Sequence, residues 1–111
     1  MLWLDSIAPN TPRNLVVTRI PTTTSVQLRW EAPLPAKDNE PVYGYVIYRF
    51  EGEEKIDIAK PENILHIQYN ATPFFMDTTA LPGKTYLYVV TAIDRLKNES
   101  DRTPTMAAPV Q

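Results

Sequence analysis

Between Thr24 and Glu31 the chain alternates without a break. Val26, Leu28 and Trp30 fall on one side, and Gln27, Arg29 and Glu31 on the other. A repeat of two suits a strand with one dry and one wet face, and a helix cannot satisfy it. The same signal recurs along the chain. Residues 13–19 are rich in β-formers and bounded by Pro12 and Pro21; residues 44–50 (Gly44 to Phe50) and 85–94 are longer apolar strands. Residues 74–77 and 103–107 are shorter candidates, and a short fourth strand is expected over 55–59, with Ile56 and Ile58 on one side. Residues 61–73, held between Pro61 and Pro73, read as an irregular excursion with a short strand near Leu65 to Ile67. No stretch shows sustained helical spacing with caps. Short strands with turn signals every roughly 8–12 residues predict an antiparallel β-sandwich.

The counts then remove most chemistry. At 111 residues the chain is one domain, and surface scaling leaves about two thirds of the unfolded surface buried, enough for a core without disulfide or metal. There is no cysteine, one histidine (His66), three serines (Ser6, Ser25, Ser100) and three glycines (Gly44, Gly52, Gly83). That leaves no thiolate metal site, no Cys nucleophile and no Gly-rich phosphate loop. No cofactor is expected. A net charge of −2 argues against a nucleic-acid partner. No apolar run approaches about 18 residues, so no direct membrane insertion is expected. The opening Met1-Leu2-Trp3-Leu4-Asp5 is too short for a signal peptide, and a leader would belong to a longer parent.

With these strands in place, a resemblance becomes specific. Pro12-Arg13-Asn14-Leu15-Val16-Val17, Ser25-Val26-Gln27-Leu28-Arg29-Trp30 with Ala32-Pro33, and Gly44-Tyr45-Val46-Ile47-Tyr48-Arg49 resemble strands A, B and C of a fibronectin type III domain. Leu81-Pro82-Gly83-Lys84-Thr85-Tyr86 running into Leu87-Tyr88-Val89-Val90-Thr91-Ala92 resembles the family's E–F turn and F strand. The likeness spans residues 8–108, leaving 1–7 as a linker or the tail of a preceding module and 109–111 as a tail. It implies an all-β, immunoglobulin-like sandwich of about seven strands, with A, B and E facing C, F and G plus a short C′. The family's tyrosine corner falls on Tyr86, whose hydroxyl should bond backbone near the E–F turn. Alternation and resemblance together place Leu15, Val17, Val26, Leu28, Trp30, Tyr45, Ile47, Tyr86, Tyr88, Val90 and Ala92 in the core. The 61–73 excursion is longer than many members carry.

Candidate reactive groups are few. His66 has no second His, Cys or nucleophile to work with, so it reads as a partly exposed side chain. Asp38 with Glu40, Glu51 with Glu53 and Glu54, and Glu99 with Asp101 could be paired carboxylates, but all sit in expected turns, where acids are solvated. Asp38-Asn39-Glu40 falls short of the roughly 6–8 oxygens that Ca²⁺ takes. Asn70-Ala71-Thr72 and Asn98-Glu99-Ser100 match the glycosylation sequon, which in a bacterial protein is a plain polar loop. Trp30, Tyr45 and Tyr86 suit the core, whereas Trp3, Tyr43, Phe50, Tyr69, Phe74 and Phe75 exceed what one sandwich needs.

One face stands out. Strand C sends Val46, Tyr48 and Phe50 outward, and strand F sends Leu87 and Val89, so both strands are apolar on two faces. Five such side chains form a candidate domain-docking patch. The expected arrangement has the excursion, with Ile64, Leu65, Ile67 and Tyr69, covering the part around Tyr48 and Val89. A partner domain would meet the rest.

The F–G segment Ala92-Ile93-Asp94-Arg95-Leu96-Lys97-Asn98-Glu99-Ser100 and the lead-in Trp3-Leu4-Asp5 are similar to those of the C-terminal module of bacterial glycoside-hydrolase-like lipoproteins. The resemblance implies a non-catalytic accessory module rather than an enzyme. It would space or pack against the preceding domain of a carbohydrate-active parent, outside the cell or at its surface, in the periplasm or on the outer membrane through the parent's anchor. The alternative is direct binding of polysaccharide through surface aromatics.

Overall fold

The structure is a computed structural model that describes residues 8–35, 42–51, 56, 58–59 and 61–108. Seven strands follow in order: β1 (Arg13–Arg19), β2 (Val26–Glu31), β3 (Gly44–Glu51), β4 (Ile64–Gln68), β5 (Phe74–Asp77), β6 (Tyr86–Ile93) and β7 (Met106–Ala107), with a 3-10 turn at Pro61–Asn63 before β4. They form two antiparallel sheets, β1-β2-β5 and β4-β3-β6-β7. This is the A-B-E sheet facing a C′-C-F-G sheet.

The core between the sheets follows the alternation. All eleven expected core residues are buried there, joined by Ala80 and Ala108. Trp30 and Tyr45 meet edge-on across the layers, ring centroids 5.0 Å apart, a favourable geometry for aromatic quadrupoles. Gly44 is dictated by close approach. A Cβ there would sit 2.2 Å from the Gln68 carbonyl oxygen on the neighbouring strand.

The C′ strand lies later in the chain than the alternation of Ile56 and Ile58 predicts. It is β4, within the excursion. Of residues 55–59, Lys55 and Asp57 fall outside the described residues, and Ile58 and Ala59 form a turn. Ile56 and Ile58 spend their apolar surface on the outer face of the sheet instead of pairing in it. Residues 64–68 hide their strand character because the register slips between Ile47 and Tyr48. The extra residue lets Ile64 and Ile67 both serve the outer face, while Leu65 packs on the inner core.

The last strand is shorter than residues 103–107, because Pro104 cannot donate to a ladder. Hydroxyls fill the gap. The Ala92 N–H donates to Ser100 Oγ at 2.9 Å, and the Val90 N–H to Thr103 Oγ1 at 3.0 Å.

At the start of β1, Asn14 takes a φ of 54° at a register shift between Arg13 and Val16. Asn tolerates that conformation better than most residues, and the bulge blunts an edge strand. The register also fixes two poles. Residues 8–12, 32–35 and 42–43 and the loops 69–73 and 94–98 share the pole where β1 begins; the turns 20–25 and 78–85 share the other.

Candidate interaction surface

The outer face of β3 and β6 is contiguous, but it is not a docking patch. Val46, Tyr48, Phe50 and Val89 are buried and Leu87 is half-buried. With Ile93 they form a second hydrophobic cluster, packed by Ile56, Ile58, Ile64 and Ile67. The expected division therefore fails in its docking half. β4 extends the apolar face sideways, and Ile56 and Ile58 pack on it, so the domain itself buries four of the five side chains and half-buries Leu87. Glu99 closes the polar rim: its carboxylate accepts hydrogen bonds from the Tyr48 hydroxyl and, at 2.6 Å, from Thr91 Oγ1. Burial pushes the Tyr48 pKa well above a tyrosine's usual value, and the Glu99 carboxylate pushes it further.

The other sequence candidates are structural too. His66 is exposed and stacks on Phe75, centroids 4.8 Å apart and planes 19° off parallel. The pair spans the gap between the edge strands β4 and β5. Glu51 pairs with Lys84 at 2.9 Å, both exposed. Asp38, Glu40, Glu53 and Glu54 lie outside the described residues, as does Trp3. Among the described residues no three His, Asp or Glu side chains come together as a metal site. Asn70 turns its own loop, its Oδ1 accepting from the Thr72 N–H at 2.9 Å. The tyrosine corner sits where expected, with the Leu81 N–H donating to the Tyr86 hydroxyl at 3.1 Å.

What alternation did not reveal is a buried polar knot. Asp77, only 1% exposed, accepts from the Tyr88 hydroxyl at 2.6 Å and the Arg49 guanidinium at 2.9 Å. It also accepts from Thr79 through backbone N–H (3.0 Å) and hydroxyl (2.7 Å). Burial alone would raise its pKa, yet these donors outweigh burial and hold it below the usual carboxylate value. Arg49 lies over the Tyr86 ring, 4.7 Å from its centroid. One signal was available: Arg49 shares the inward parity of Tyr45 and Ile47, and a charge there needs a partner.

Of the surplus aromatics, Phe50 is buried and Phe75 lies under His66. Tyr43, Tyr69 and Phe74 are exposed. Tyr43 precedes β3 and Tyr69 follows β4; their rings meet at 6.1 Å, inclined by 63°. The Lys97 ammonium lies over both, 4.9 Å from the Tyr69 centroid and 5.8 Å from that of Tyr43, close enough for cation–π attraction. Lys97 takes a φ of 67° in a turn organised by Asp94. That carboxylate accepts from the Leu96 and Asn98 N–H groups, both at 2.9 Å, and from Asn98 Nδ2 at 3.0 Å.

This architecture defines an immunoglobulin-like sandwich, and solved structures share it. An Fn3-like protein from Clostridium thermocellum superimposes with a TM-score of 0.69 at 18% identity, covering 94% of this chain and 95% of that one. The FN5 domain of Drosophila Lar gives 0.63 at 21% identity, covering 92% and 96%. The sequence narrows the class: residues 10–111 match the model of the fibronectin type III domain described as the SaeA third domain, and the chain belongs to the fibronectin type III family. A further relative is the glycosyl hydrolase YngK of Bacillus subtilis (strain 168), 38% identical over 100 residues. That match takes in 90% of this chain but only 18% of YngK, so the chain corresponds to one part of a much larger protein.

Proposed function

We propose that the chain is a non-catalytic accessory module of a larger carbohydrate-active protein, which it stabilises and spaces by packing against a neighbouring domain. The observation that carries this reading is the 38% identity to a stretch making up 18% of a glycosyl hydrolase. The residues support it. The single His stacks on a ring, Glu51 is ion-paired with Lys84 on the surface, and Glu99 is hydrogen-bonded to Tyr48 and Thr91, so each of these is engaged structurally. Residues 8–108 are the folding unit, and 1–7 and 109–111 are its connections. The parent is a bacterial protein that works outside the cell or at its surface, as a lipoprotein, with this module at its C-terminal end.

Incubating the purified 111-residue chain with soluble polysaccharides and following reducing-end release tests the reading. No release above a buffer control is expected. Release that scales with the chain's concentration would overturn it.

A further inference from the structure

We infer that the pole carrying Tyr43, Tyr69, Leu96 and Lys97 is the surface through which this domain docks on the module preceding it in its parent. The inference rests on the accessory reading above and names the face that reading leaves open.

Among the described residues most exposed large apolar side chains lie at that end, Leu81 on the opposite pole and Met106 on β7 being the others. Leu34, Tyr43, Tyr69 and Leu96 are 58%, 42%, 57% and 56% exposed, and all lie on loops of the pole where β1 begins. Val16 and Phe74 flank the same end, both opposite Arg29. Surface side chains of this size usually scatter; clustered on one pole they mark an interface. The exposed tyrosine rings also match the aromatic enrichment of interface cores.

The surface is held ready. Its side chains come from three loops, and the F–G turn is fixed by the Asp94 hydrogen bonds. A face that loses little freedom on binding loses less affinity to ordering.

The chain enters at this pole. Asn10 Nδ2 donates to the carbonyls of Leu34 and Pro35, at 2.9 and 3.1 Å. The entering segment is thereby tied to the loop that carries the apolar surface. A preceding module is delivered to this pole by its own tether, at high effective concentration.

A glycan fits the same groups less well. Sugar stacking needs an open, flat ring face. Here the rings are inclined by 63°, and Lys97 already lies over one face of each.

Amide hydrogen exchange tests the inference, comparing the domain inside its full-length parent with the 111-residue chain alone. Docking predicts about tenfold or slower exchange in the parent for the amides of Tyr43, Leu96 and Lys97, with Leu81 to Lys84 unchanged. Replacing Tyr69→Ala and Leu96→Ser together in the parent should restore the faster rates. The melting temperature of the chain alone should fall by only a few degrees, because both side chains are exposed and Tyr69 loses one ring contact and one cation–π contact. Equal rates at this pole in parent and chain would overturn the docking surface. Slowing at the opposite pole instead would overturn it while leaving the accessory reading standing; no slowing anywhere would remove both. Saturable NMR shifts at Tyr43 and Tyr69 when the chain alone is titrated with cello-oligosaccharide or oligogalacturonate would replace the docking surface with a glycan site.

Discussion

Arg49 on β3 reaches across the sandwich to the carboxylate of Asp77 on β5, 2.9 Å away, and so bonds one sheet directly to the other. The Tyr88 hydroxyl from β6 completes the join at 2.6 Å. A sandwich is otherwise held by non-directional burial, and this knot adds a fixed point that sets how the layers align. Removing Arg49 leaves the buried Asp77 carboxylate hydrogen-bonded but without its counter-charge. Arg49→Ala should therefore destabilise the domain by about 3–5 kcal/mol, read from the midpoint of urea unfolding. A loss of a few tenths would mean the pair is idle.

The same carboxylate sets the acid limit. Its pKa is lower folded than unfolded, so the native state binds fewer protons than the unfolded chain near that range. Its contribution is fully present above the unfolded value of about 4 and is lost as pH falls through the folded value. Urea midpoints should stay level from neutral pH to about 5 and drop below about 4. Asp77→Asn should be less stable at neutral pH and show a shallower acid drop.

Tyrosines set the alkaline limit. Burial and a neighbouring carboxylate raise the pKa of both Tyr48 and Tyr88, through Glu99 and Asp77 respectively. Here the folded state holds protons that the unfolded chain releases, so stability is intact below the unfolded value of about 10 and declines as pH rises above it. Burial raises the pKa of Tyr45 as well, so absorbance at the tyrosinate band should show three tyrosines ionising only with unfolding. If all six titrated freely near pH 10 in the folded chain, the burial assigned to these three would be wrong.

Gly44 has no room for a side chain. A Cβ would stand 2.2 Å from the Gln68 carbonyl oxygen, and a backbone atom cannot swing aside. Gly44→Ala should force β3 and β4 apart and cost about 1–3 kcal/mol by overpacking. A thermal melt reads the loss directly, and an unchanged midpoint would contradict the close approach.

How much of this could be read in the residues follows from where period two holds. β2 keeps strict alternation, so Trp30 was assignable to the core from parity; β3 and β6 are apolar on both faces, and Tyr45 and Tyr88 needed the family resemblance as well. Parity failed at Leu65, where a register slip puts one extra residue in β4. It also placed Ile56 and Ile58 on one side of a short strand, whereas they pack on the outer face from outside the strands. The two-faced apolar character of β3 and β6 was legible, but not its cover, because cover depends on where a loop lands. Tyr43, Tyr69 and Lys97 lie far apart in sequence, and only the shared pole brings them together.

The most direct test of the accessory role is to delete this module from its parent and measure both the kcat on polysaccharide and the thermal midpoint of what remains. The account predicts a kcat within about twofold of the intact protein and a lower midpoint, since a stabilising neighbour has gone. A collapse of kcat in a remainder that stays folded, with its midpoint unmoved, would contradict it by placing chemistry in the module itself.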